Sequence, residues 1–343
     1  MCHSVELADL LQEPLAPWFI RGFALVFGAA WGSFFNVAIY RWPREISVVT
    51  PPSFCPACER PIPARLNIPV VSYLLLRGKT ACCDTRLSPR YPLIEATSAL
   101  LCLGVAERYL IGAPPDAGVL HAVMIALTYF IFIGGLLIAA VVDLDCMEIP
   151  EAVSLPIAAL GLATATLRAP DQLDSILLGA GCGYLLIQVV FVWSYEALTG
   201  RRGMGEGDSD LMLAIGAFLG WQGALFSLLA GATQGLAAWG IGKILGKDLA
   251  ADPEAEDEAQ RETDGDPGTA TKAGPVGTVE AVTSQGDEAP QKAAAEERSA
   301  DGRLEPPPRY FGHLKVPFGP FLALSAAEYL FFGDELVAAI FLP

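Results

Sequence analysis

Residues 119–146 read VLHAVMIALTYFIFIGGLLIAAVVDLDC, and the stretch 119–142 contains no Asp, Glu, Lys or Arg. A hydrocarbon core of roughly 30 Å takes about 20 apolar residues of helix, so this stretch is long enough to cross a bilayer. It ends on two carboxylates, Asp143 and Asp145. Working outward, comparable runs occur at 17–40, 93–110, 152–167, 176–198, 211–221 with its flanks, 224–245 and 316–342. Two of them are short, and 211–221 and 224–245 are separated by little more than Trp221-Gln222-Gly223, so seven crossings fit almost as well as eight. The expected fold is an all-α polytopic membrane protein of about eight transmembrane helices. The first run is too long for a cleaved signal peptide, lacks an Ala-x-Ala site and is followed directly by Arg41 and Arg44.

Composition agrees. Of 343 residues, 53% are hydrophobic and 17% are charged, where soluble domains carry about 25% charge. That balance argues against an ordinary cytosolic enzyme and against a disordered chain. A net charge of −16 excludes a nucleic-acid partner of the usual kind, which needs clustered Lys and Arg. Half of that net charge lies in 247–315, where 16 acids face 8 bases and large apolar residues are rare. Such a stretch buries too little surface to offset its ordering entropy, so it is expected to be an acidic disordered insert, a solvated tether.

Orientation follows the basic loops. The segment 41–90 holds eight Lys and Arg against three acids and is therefore assigned to the cytoplasm. Counting onward puts 143–151, 201–208 and the acidic insert on the same side. The expected organisation is a first transmembrane helix in 1–40, a cytoplasmic cysteine-rich loop domain in 41–91, a transmembrane catalytic core in 92–246, the insert in 247–315 and a last helix in 316–343.

Four of the eight cysteines lie in that loop, where cytosolic thiols stay reduced. Cys55-Pro-Ala-Cys58 is a C-x-x-C knuckle, and Cys82 and Cys83 supply a second pair. Two close pairs of thiolates suit a closed tetrahedral structural zinc site, and a small loop with little core needs such a staple. Adjacent cysteines chelate less comfortably than C-x-x-C, so loose thiols or a partly degraded site is the alternative. Cys2, Cys102, Cys146 and Cys182 read as small apolar packing.

Ionisable residues at membrane depth are functional candidates by default. Asp143 closes the third run, and Gly203-Met204-Gly205-Glu206-Gly207-Asp208 opens the sixth. The topology puts both at cytoplasmic helix ends, where they can meet. Two carboxylates in one partly dry site share a proton, an arrangement suited to peptide hydrolysis. The alternative is that they are solvated helix caps. Asp208 fits an N-cap well, whereas Asp143 at the end of an apolar helix opposes the dipole.

These residues resemble a known family. Gly205-Glu206-Gly207-Asp208 is similar to the G-x-G-D motif of intramembrane aspartic proteases, and Asp143 with Ile149-Pro150 resembles the first catalytic motif of the bacterial type IV prepilin leader peptidase and N-methyltransferase family, peptidase family A24. Four further segments agree in order: Gly32-Ser33-Phe34-Phe35-Asn36-Val37 with Tyr40-Arg41, then 67–73, 90–95 and Pro317-Phe318-Gly319-Pro320-Phe321-Leu322. The resemblance implies a multi-pass enzyme of the bacterial inner membrane. It would cut the leader from type IV prepilins or type II secretion pseudopilins on the cytoplasmic side, with Asp143 and Asp208 as the catalytic pair. It also implies N-methylation of the new terminus with S-adenosylmethionine as donor. No glycine-rich strand-to-helix motif marks a donor site; Glu95 and Asn36 are either solvated or hydrogen-bonded polar groups or members of that site.

The chain departs from the family pattern twice. Thr80 stands where a cysteine is usual, with Cys82 supplying a thiol instead, and Asp210 stands where lysine is usual. The first departure bears on zinc and methylation, the second on electrostatics beside Asp208. Asp145, Glu148 and Glu206 are expected to attract a basic leader. The rival readings are a peptidase without methyltransferase activity and a transporter or scaffold whose acids bind an ion. Transport sites usually lie near the midplane, unlike these helix ends.

Overall fold

The structure, a computed structural model, describes residues 7, 11–50, 52–55, 57–58, 60–63, 66–200, 205–245 and 317–341. Seven main helices carry the fold: α1 (Ala16–Arg41), α2 (Arg90–Ala106), α3 (Val119–Cys146), α4 (Glu151–Ala163), α5 (Leu173–Leu185), α6 (Glu206–Ile244) and α7 (Gly319–Phe341). Helix α2 widens into a π turn over Glu107–Ile111. Helix α5 continues through a π-helical stretch, Leu186–Ser194, into Tyr195–Thr199. No strand forms among the described residues, which contain only the isolated bridges Phe54–Pro61 and Lys79–Arg86. The acidic insert expected in 247–315 lies outside the described residues.

Among the described residues, four helical stretches are long and apolar enough to cross a membrane: Ala16–Arg44, Val119–Cys146, Pro170–Thr199 and Glu206–Ile244. The runs expected at 211–221 and 224–245 are two helices that meet at a kink at Gly220, where φ is +70° and ψ is −174°, and they share the label α6. Lipid offers no hydrophobic drive between helices, so contact depends on close fit and small residues. Gly28 and Gly32, a G-x-x-x-G pair on α1, lie against the backbone of α2 at Ser98–Ala99 and Glu95. The Ser98 hydroxyl donates to the Gly28 carbonyl at 2.7 Å. In the centre, Phe132, Ile133, Leu136 and Val142 of α3 are buried with Leu211, Met212 and Ile215 of α6 and Leu322 of α7. Phe132 and Phe218 stack at 4.2 Å between centroids.

The break at Gly220 ends the first half of α6 within the bundle and strips its last carbonyls of helical donors. Arg168 fills that need. Its guanidinium donates to the carbonyls of Ala217 (2.8 Å), Phe218 (3.0 Å) and Gly161 (2.7 Å), and it lies over the Phe218 ring at 4.4 Å. A cation at two helix C-termini also complements their dipoles. One side chain thus joins the ends of α4 and of the first half of α6. Replacing Arg168 with Leu is expected to lower stability by about 2 kcal/mol or more, read as a fall in the thermal midpoint of the protein in detergent.

Candidate active site and cysteine cluster

Asp143 sits in the last turn of α3 and is 6% exposed. A carboxylate there faces the negative end of its own helix. The compensation comes from another helix: the Gly319 amide, first residue of α7, donates to Asp143 Oδ2 at 2.9 Å. The positive end of α7 therefore caps the carboxylate that α3 disfavours.

Asp208 is the third residue of α6 and is 7% exposed. It lies inside the first turn, where the dipole favours an acid, and its amide donates to the Gly205 carbonyl at 3.2 Å. Helix α6 begins at Glu206, so Asp208 is not the N-cap that its position in the sequence also allowed. Asp208 lies within electrostatic reach of Asp143, although 65 residues separate them in the chain. The spacer between them is Ile149. A Cβ added to Gly207 would come within 2.8 Å of both the Cβ and the carbonyl oxygen of Ile149. One added to Gly319 would come within 2.9 Å of Ile149 Cδ1 and 2.8 Å of Asp143 Oδ2. Three segments distant in sequence meet there, and glycine at 207 and 319 lets them close.

Asp145 is taken up by Arg90, which grips it through both guanidinium nitrogens at 2.7 and 2.5 Å. This pair ties the start of α2 to the end of α3, so the expectation that Asp145 draws in a basic segment is corrected. Asp210, in contrast, feels the charges of Glu151 and Glu206, and the three form an acidic rim at the start of α6. Glu95 is buried and accepts the Val70 amide at 2.7 Å, while Asn36 donates to the Tyr91 carbonyl at 3.1 Å. Both are hydrogen-bonded between elements, as the first of their two readings anticipated.

In the loop, the thiols of Cys55, Cys58, Cys82 and Cys83 all lie within 4.8 Å of one another. Cys55 and Cys83 are 3.5 Å apart, Cys58 and Cys82 3.3 Å, and Cys82 and Cys83 3.8 Å. Four sulfurs at about 2.3 Å from a tetrahedral ion stand about 3.8 Å from each other, so the set fits a zinc-sized cation. The adjacent pair does not diverge as its spacing suggested, because Asp84 turns back with φ +59° and the Lys79–Arg86 bridge closes the turn. Thr80 stays in the cluster as a hydrogen-bond partner of Cys83 at 3.3 Å. Bonds from Thr80 and then Thr85 bring the Cys83 thiol down to about 6, which leaves it a thiolate at neutral pH.

Residues 26–109 match the bacterial peptidase A24 N-terminal domain, and residues 130–240 match the type IV leader peptidase family. A protein named prepilin leader peptidase/N-methyltransferase from Klebsiella pneumoniae is 37% identical over 236 residues, 66% of this chain and 97% of that protein. One of the same name from Aeromonas hydrophila is 35% identical over 71% of this chain and 87% of its own length. A third, from Neisseria gonorrhoeae, is 37% identical over 57% and 73%. The chain belongs to the type IV leader peptidase family. No solved structure matches it.

As a leader peptidase family member with four helical stretches fit to cross a bilayer, it is an integral membrane protein. Two residues quoted above within motifs, Gly319 and Ile149, act here in ways those motifs did not show. The Gly319 amide is a backbone donor, visible only as a glycine opening the last helix, and Ile149 is an aliphatic residue whose role is steric. Replacing Gly207 with Ala is expected to force Ile149 aside and to destabilise the protein by about 1–3 kcal/mol. Shortening Ile149 to Ala should not restore the thermal midpoint, because the clash is with its Cβ and carbonyl oxygen.

Proposed function

We propose that this chain is a membrane aspartic endopeptidase that removes the leader from type IV prepilins or type II secretion pseudopilins, and then methylates the new N-terminus. The observation that carries the reading is the buried approach of Asp143 and Asp208 at helix ends, closed by Gly207, Ile149 and Gly319. In a water-poor site two carboxylates share one proton. The charged member takes a proton from water as its oxygen bonds to the scissile carbonyl carbon, and the protonated member gives its proton to the carbonyl oxygen. Collapse of the tetrahedral intermediate breaks the C–N bond, and a carboxyl proton returns to the leaving amine. The Gly319 amide holds one carboxylate in place while protons move.

The basic loop 41–90 supports a cytoplasmic active site in a bacterial inner membrane. Seven helices with α6 broken in two support eight crossings, with the cysteine loop in 41–91 and a catalytic core in 92–246. The acidic rim of Glu151, Glu206 and Asp210 supports attraction of a basic leader. S-adenosylmethionine would supply the methyl group to the freed amine; its site is not assigned to particular side chains. Zinc held by Cys55, Cys58, Cys82 and Cys83 would staple the loop and take no part in the cut.

Purified protein should cut a prepilin and, with S-adenosylmethionine present, yield a product heavier by one methyl group. Asp143→Asn and Asp208→Asn should each lose cleavage while keeping the wild-type thermal midpoint and the methylation of a pre-cleaved pilin. Metal analysis should find about one zinc per chain, with Cys55→Ser or Cys83→Ser lowering occupancy and the Thr80→Ala protein retaining it.

A further inference from the structure

Cleaving a helical substrate at membrane depth requires that it unwind at the cut. Each backbone N–H and C=O then exposed loses its helical partner in surroundings without water, at a cost of several kcal/mol. The enzyme must therefore offer polar groups beside its carboxylates, and these should be unpaired until substrate arrives.

Two side chains are candidates for that role. The Ser209 hydroxyl, next in sequence to Asp208, is fully buried and has no hydrogen-bond partner among the described residues. Gln188 is 7% exposed, and no side-chain hydrogen bond ties it to a described residue, although its amide atoms are not sealed off as the Ser209 hydroxyl is. Gln188 sits on the π-helical stretch Leu186–Ser194 of α5, an irregularity that often accompanies functional sites.

The packing of α5 on α6 brings the two to one level. Gly179 of α5 lies against Gly216 and Gly220 of α6, and Gly183 lies against the Met212 carbonyl, 3.2 Å from where its Cβ would stand. The helices run antiparallel, so four residues forward on α5 answer four residues back on α6. The next step puts Ile187 and Gln188 opposite Asp208 and Ser209. Ile187, fully buried, continues the same stripe.

We propose that Gln188 and Ser209 form a subsite that hydrogen-bonds the unwound backbone of the substrate beside the scissile bond. A glutamine amide carries both donors and an acceptor, so it can answer a peptide group at both its N–H and its C=O. The ligand class is thus an extended peptide segment, and the proposal rests on the peptidase reading given above.

An unpaired buried polar group weakens the fold, and one kept for substrate should reveal itself as a trade of stability for activity. The test uses full-length protein in nanodiscs with a prepilin substrate. Gln188→Met and Ser209→Ala are each expected to keep or raise the thermal midpoint while lowering kcat/KM for cleavage about tenfold. Methylation of a pre-cleaved pilin should be unchanged. Substrates with an ester replacing the amide on either side of the cut give a second measure. One of them should be cut about tenfold more slowly by wild type, with no further loss in Gln188→Met. Cleavage at the wild-type rate in both variants would overturn the subsite. So would a lower midpoint with cleavage and methylation lost together, or an ester penalty as large in Gln188→Met as in wild type. Failure of wild type to cut prepilin at all would instead overturn the peptidase reading.

Discussion

The hydrogen bond from the Gly319 amide to the Asp143 carboxylate is the constraint that the end of the bundle carrying Asp143 and Asp208 is arranged around. A buried acid in the last turn of an apolar helix opposes that helix's dipole, and without a partner it would have little reason to stay. The start of α7 provides the partner, more than 170 residues later in the chain. Once α7 is seated there, Ile149 is confined between Gly319 and Gly207, and Gly207 brings Asp208 with it. The two carboxylates are thus set by backbone approach, one amide hydrogen bond to Asp143 Oδ2 and one aliphatic side chain.

The far end of the bundle is held by a different device that serves the same arrangement. Gly220 breaks α6, and Arg168 gathers the released carbonyls together with the end of α4. The half of α6 that carries Asp208 is therefore fixed at both ends, by glycine contact near the acids and by a guanidinium at the break. The Arg90–Asp145 pair does the same for α2 and α3. Arg90, Asp145 and Arg168 thus secure helix ends, which is where a bilayer tolerates charge.

Much of this was legible in the sequence because membrane helices write themselves as long uncharged runs. The run 119–142 and the acids at 143 and 208 could be read directly, as could the grouping of four cysteines. Other features were hidden for physical reasons. The Asp145 carboxylate looked available because its partner, Arg90, lies 55 positions away. Backbone donors such as the Gly319 amide carry no residue signature. The adjacent Cys82 and Cys83 seemed poor chelators until the turn at Asp84 was known.

The central claim is that Asp143 and Asp208 face each other across one small site, and proximity can be measured without relying on activity. In a chain whose native cysteines are replaced by serine, Asp143→Cys and Asp208→Cys introduced together should be joined in membranes by a short thiol-specific cross-linker. The same protein carrying Gly207→Val should join poorly, because Ile149 then wedges the segments apart. Efficient joining in the first protein and little in the second is the result this account predicts. No joining in the first, with the protein folded and both thiols reactive to a small reagent, would contradict it.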